Sequence, residues 1–166
     1  MRLRAQIDIS APPEAIWDFA TDHARVLHYM SGITRWEVAS ENPAGLGARY
    51  RMLMRVGSAE IGSLIEIIEF DPGCDWAWTS VTGLDQRGRL RLRKRNSDPA
   101  HPRTSVEFRL SYGVAGAGIS GWIAEQLGAP QVRRHLQRTL LSLKRQVEHE
   151  QLRADAAARR AARSAA

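Results

Sequence analysis

From Thr34 to Tyr112 the chain alternates apolar and polar residues in six successive segments, and beyond Ile119 the apolar residues recur every third or fourth position instead. The first pattern has the period of a half-buried strand and the second that of a helix, so the sequence specifies a run of strands closed by a helix. The strand segments are TRWEVAS, ARYRMLMRV, AEIGSLIEIIEF, DWAWTS, RGRLRLRKR and TSVEFRLSY, with turn signals such as GS and DPG between neighbours. A further strand opens the chain, where Leu3, Ala5, Ile7 and Ile9 alternate with Arg4, Gln6, Asp8 and Ser10. Pro12 and Pro13 then start a helix, PPEAIWDFA, with Glu14 at its positive end, and a second short helix, DHARVLHYM, is expected from Asp22. Strand, two short helices, six strands and a long helix make an α+β chain with an antiparallel sheet buried on one face.

In the closing segment Ile119, Trp122, Ile123 and Leu127 form an apolar stripe, continued after Pro130 by Val132, Leu136, Leu140, Leu143 and Val147. Proline lacks the N–H that continues a helix, so a kink or short break is expected at Gly128 to Pro130. Gly116, Gly118 and Gly121 spell G-x-G-x-x-G between strand and helix. That spacing holds a dinucleotide only inside a βαβ unit with an acidic residue at the next strand's tip, and no strand follows these glycines. Their expected work is to turn the backbone from strand into helix. No cofactor is implied.

At 166 residues the chain suits one domain, and 43% hydrophobic with 25% charged residues is ordinary globular composition. A single cysteine, Cys74, excludes an internal disulfide and fits a reducing compartment. With no signal-peptide core and no stretch that could span a bilayer, a cytoplasmic protein is expected. The five histidines, His23, His28, His101, His135 and His149, have no metal-ligand spacing, so no metal site is expected. Residues 151–166 hold Arg153, Arg159, Arg160 and Arg163 against Asp155 alone, half of the net charge of +6. This Ala/Arg segment is expected as a frayed helix or disordered tail to a domain of residues 1–150.

The stretch IDISAPPEAIWDFATDHARVLHYMSGITRWEV resembles the opening of the START/Bet v 1-like (SRPBCC) superfamily, and in particular its bacterial polyketide cyclase/dehydrase-like group. RTSVEFRLSY, followed by glycines and VRRHLQRTLLSLKRQVE, is similar to the close of the same group, so the resemblance runs over about residues 3–150. It implies the helix-grip fold: a curved antiparallel sheet of about seven strands around the long C-terminal helix, with two short helices after the first strand. It also implies a hydrophobic small-molecule ligand, such as a polyketide, lipid or quinone-like compound, held between helix and sheet.

On that fold Tyr50, Met52, Met54, Trp76, Trp78, Leu90, Leu92, Phe108, Leu110 and Tyr112 are expected on the concave face, with Ile123 and Leu136 opposite them on the helix. His28 and Tyr29 fall where members of the superfamily have the cavity mouth. Met and aromatic side chains suit an adaptable apolar pocket, while each taken singly is equally a core residue. Two other functions stay open. One is a cyclase or dehydratase in which His28, Tyr29, Tyr50 or Tyr112 positions a proton; the strand AEIGSLIEIIEF offers Glu60, Glu66 and Glu69 but no arginine, and Ser63 and Glu66 face opposite ways by parity. The other is a regulatory protein binding RNA or a ribosome through Arg89, Arg91 and Arg93, which share the outer sheet face. The chain is expected as a monomer or homodimer.

Overall fold

The computed structural model describes the backbone of residues 1–113 and 118–164, and the side chains of all of these except 118–129. Seven strands form one antiparallel sheet: β1 (Arg2–Ile9), β2 (Ile33–Val38), β3 (Arg49–Val56), β4 (Ala59–Asp71), β5 (Asp75–Gly83), β6 (Asp85–Lys94) and β7 (Thr104–Gly113). Their order across the sheet is β1-β7-β6-β5-β4-β3-β2, so the first two strands of the chain lie on opposite edges. The connection between those edges is helical: α1 (Pro13–Thr21) and α2 (Val26–Tyr29). Last comes α3 (Gly118–Ser164).

Each strand places its apolar residues inward as the alternation requires. On β3 Tyr50, Met52 and Met54 are buried while Arg49, Arg51 and Arg55 are exposed, and on β7 Val106, Phe108, Leu110 and Tyr112 are buried. Register shifts within the β2–β3 and β4–β5 pairings strengthen the twist that curls the sheet around α3. From α3, Val132, Leu136, Leu140, Leu143 and Val147 fill the concave side. α1 adds Ile16, Trp17, Phe19 and Ala20, and Trp17 meets Phe70 of β4 edge-on at 5.0 Å. This is the helix-grip α+β fold that the resemblance implies.

Two boundaries differ from expectation. The second helix is a single turn, because Asp22 closes a local turn: its Oδ1 accepts from the Ala24 N–H at 3.0 Å and its carbonyl from the Arg25 N–H at 2.9 Å. An aspartate bonded to its own following backbone competes with helix formation. α3 runs unbroken through Pro130, which lacks the N–H for one backbone hydrogen bond. The helix also continues through residues 151–164, nearly all of them exposed. Of the glycine motif, Gly116 lies outside the described residues, as does the side chain of Ile123, while the backbone of Gly118 and Gly121 is helical. Since β7 is antiparallel to both β1 and β6, the glycines follow no βαβ strand.

Candidate functional site

Among the described residues the concave face is largely packed, and it holds a cavity of about 40 Å³ between the sheet, α3 and the turn that leads from α2 into β2. Met52 and Met54 of β3, Trp78 of β5, Phe108 and Leu110 of β7, and Leu136 of α3 line it, all six named from the sequence. Trp76, Leu90 and Leu92 lie on the same face as fully packed core, away from the cavity. Tyr50 is buried with its hydroxyl donating to the Pro43 carbonyl at 2.6 Å, and Tyr29 donates to the Ala20 carbonyl at 2.7 Å. Burial pushes both phenols above their ordinary pKa. Tyr112, also raised by burial, turns its hydroxyl toward the Met1 sulfur, and the side chain of His28 is exposed.

The polar lining is Ser31, Trp36, Gln86, His135 and Thr139, none of which the parity reading singled out. His135 and Thr139 are four residues apart on α3 and together hold the α2–β2 turn: Thr139 Oγ1 accepts from the Ser31 N–H at 2.9 Å, and Ser31 Oγ lies 3.0 Å from His135 Nδ1. Gly32, at a φ of 86°, lets the imidazole lie against its Cα, where a Cβ would sit 2.8 Å from the ring. Burial, with Arg138 next in effect and Arg134 in the same direction, holds the His135 pKa below its ordinary value, while the Arg55 carbonyl opposes them. The ring is therefore neutral near pH 7. Gln86 spans the floor, its Nε2 donating to Ser63 Oγ at 2.7 Å and to the Met52 sulfur at 3.2 Å.

Two indoles are set by their neighbours. Trp36 stacks on Tyr50 with ring centroids 4.7 Å apart, and Trp78 stands edge-on to Phe108 at 5.7 Å. Trp78 also crosses β6 over Gly88, its partner in register, where a Cβ would meet the ring at 2.1 Å. Trp36 Nε1, Trp78 Nε1 and His135 Nε2 are buried and have no hydrogen-bond partner among the described residues, and all three belong to side chains lining the cavity. Buried polar groups are paired in the great majority of cases, so three orphaned nitrogens around one small space mark it out.

Elsewhere the surface is less suited to a ligand. A larger open groove of about 670 Å³ between the start of α1, the 95–103 loop and α3 mixes Lys94 and Arg103 with Glu14, Asp98 and Glu148. On the convex face Arg91 pairs with Asp75 at 2.7 Å, and Arg89 pairs with Glu69 and Asp75. Arg4 and Arg109 pair with Glu107, so much of the basic face carries its own counter-charges; Arg93 is exposed. No cluster of His, Cys, Asp or Glu able to hold a metal occurs among the described residues, and no helix there is long and apolar enough to cross a membrane.

A cavity held between a curled seven-stranded sheet and a long helix agrees with the comparison of sequences. The family described as polyketide cyclase / dehydrase and lipid transport matches residues 1–148. The chain belongs to that family. Solved structures repeat this polyketide cyclase / dehydrase fold. The protein TTHA0849 from Thermus thermophilus superposes with a TM-score of 0.74 at 21% identity, over 89% of this chain and 97% of that one. The Zhui aromatase/cyclase from Streptomyces sp. R1128 gives 0.72 at 17% identity, over 89% and 93%. DR_A0006 from Deinococcus radiodurans gives 0.63 at 19% identity, over 90% and 99%. Identities this low establish the shared fold. No curated protein sequence matches the chain.

Proposed function

We propose that the protein binds a small, mainly apolar molecule, of polyketide, lipid or quinone-like character, between the sheet and α3. The observation that carries this is the cavity between sheet and α3, lined by Met30, Met52, Met54, Trp78, Phe108 and Leu136. Three flexible thioethers among rigid aromatic rings make a lining that re-forms around a guest. Membership of a family whose description joins cyclases, dehydrases and lipid transport supports the same reading. Native mass spectrometry of the protein purified from its source cells, followed by denaturing release, tests it. A stoichiometric apolar adduct is expected, and a bare protein mass that stays bare after incubation with a polyketide, lipid and quinone mixture overturns it.

A second reading, conversion of the bound molecule by cyclisation or dehydration, is favoured by His135. Its neutral imidazole lines the cavity with Nε2 unpartnered and Nδ1 against Ser31 Oγ. A neutral imidazole in contact with ligand is able to accept or donate the proton that such steps move. The tyrosines expected for that work, Tyr29 and Tyr50, have their hydroxyls on backbone carbonyls. Incubating the released molecule with the protein and with its His135→Gln variant tests the reading. Product formed by the first and not by the second, with binding kept by both, is the expected result; no product from either removes it.

A further inference from the structure

We propose that Trp36 and Trp78 form a two-donor clamp for the polar end of the bound molecule, and that this end is a neutral carbonyl oxygen of a ketone, quinone or ester and not a carboxylate. The proposal rests on the cavity being the ligand site. An indole N–H donates and never accepts, so the partner these two nitrogens lack is an acceptor. A carbonyl oxygen accepts N–H groups at its two lone pairs, so a carbonyl-bearing end supplies what these donors need; a hydrocarbon leaves both unpaired and desolvated.

The same lining discriminates against an anion. Neither Lys nor Arg lines the cavity among the described residues, and residues 114–129, the part of the chain not described there, contain neither. His135 supplies no compensating charge, because burial keeps it neutral near pH 7. A carboxylate taken out of water with no cation to meet it is strongly disfavoured, whereas a neutral carbonyl needs only hydrogen bonds. The clamp is also held ready: stacking on Tyr50 fixes Trp36, and Phe108 with Gly88 fixes Trp78, so little ordering is needed on binding. Space is the remaining demand. About 40 Å³ is room for about three or four waters at about 10–15 Å³ each, so the body of a ligand displaces Met30, Met52 or Met54 while the indoles stay in place. The hydrogen bond on the Met52 side chain is from the Gln86 amide to its sulfur, a weak acceptor, so it does not hold the thioether firmly.

The test uses three probes of one shape on the full chain: acetylnaphthalene, ethylnaphthalene and naphthoate, all substituted at the same ring carbon. Affinities come from calorimetric titration, and the five tryptophan indole N–H signals are followed by nitrogen–proton correlation NMR. The ketone is expected to bind about tenfold more tightly than the hydrocarbon, with naphthoate weakest at pH 7. Two indole signals move downfield with the ketone only, and these are the signals missing from Trp36→Phe and Trp78→Phe. In each variant the ratio of ketone to hydrocarbon affinity falls about threefold or more, whichever way the altered cavity wall moves the two affinities together, and the unfolding midpoint in urea reports that the variant is folded. Equal affinity for ketone and hydrocarbon, as ordered water on the two nitrogens gives, overturns the clamp and leaves the cavity reading standing. Tightest binding by naphthoate overturns the neutral-carbonyl preference. Failure of all three probes removes the cavity reading and the clamp with it.

Discussion

At Gly88 the absence of a side chain decides where an aromatic ring goes. It stands in a row of register partners that runs Leu3, Leu110, Gly88, Trp78, Ile67 across five strands, and it alone in that row leaves room for the indole to cross β6. Gly88→Ala is expected to push Trp78 toward the cavity and to lower stability by about 1–3 kcal/mol, read from the urea midpoint and from the shift of one indole signal. His135 gives a second expectation, with a sign. Because its folded-state pKa lies below the ordinary 6.5, the unfolded chain takes up the proton first as pH falls. Its contribution is full above about 6.5, declines as pH drops from there to the folded-state pKa, and is constant below. Urea denaturation at pH 7 and pH 5 checks this: His135→Gln loses less stability over that interval than the natural protein does. These residues also show how far parity carries a sequence. Met52, Met54, Trp78, Phe108 and Leu110 were legible because their neighbours alternate. Gln86 was legible in principle, sharing parity with Leu90 and Leu92, but the arginines that begin at Arg87 hid where the strand starts. His135 and Thr139 lie on the same helical stripe as Val132 and Leu136, and only their polarity argued against reading them as inward.

Among the elements, α3 and the strands were the most legible, since a long stripe of one period is hard to mistake. The bounds of α2 were not, because the Asp22 turn and a four-residue helix have the same local sequence signature. Nor was the continuity of α3 past Pro130, since a proline inside a helix forfeits a backbone bond and reads in sequence as a stop. Where the packed part of α3 ends is testable with two leucines. Leu143 is 0% exposed beneath the sheet, whereas Leu152 is 65% exposed two and a half turns later. Leu143→Ala is expected to cost about 2–5 kcal/mol, since it leaves a cavity in the core. Leu152→Ala is expected to change stability by less than about 0.5 kcal/mol. Chemical denaturation of both variants checks the pair, and a comparable cost at Leu152 would mean that the far end of α3 is packed against something.

For the whole molecule, buried contacts and the net charge are distributed differently along the chain. The last buried residue of α3 is Val147, and the last tie to the rest of the chain on this stretch is the ion pair of Glu150 with Arg25 at 2.9 Å. Residues 151–164 continue the helix with Gln151 and Ala156 half-buried and the others exposed, and they hold four arginines against one aspartate. A helix end with almost no buried face contributes little to folding, since packing of an apolar face stabilises most helices and isolated short ones are marginal in water. The division proposed is therefore a folded body of residues 1–150, complete with cavity and both indoles, and a basic helical extension. A chain ending at Glu150 is expected to unfold at a urea concentration indistinguishable from that of the full chain and to bind acetylnaphthalene with the same affinity. It should leave a cation-exchange column at lower salt, because half of the net positive charge is gone. A fall in the urea midpoint would instead assign the extension to the fold, through the groove where Gln151, Leu152 and Asp155 face Pro12, Pro13 and the 95–103 loop.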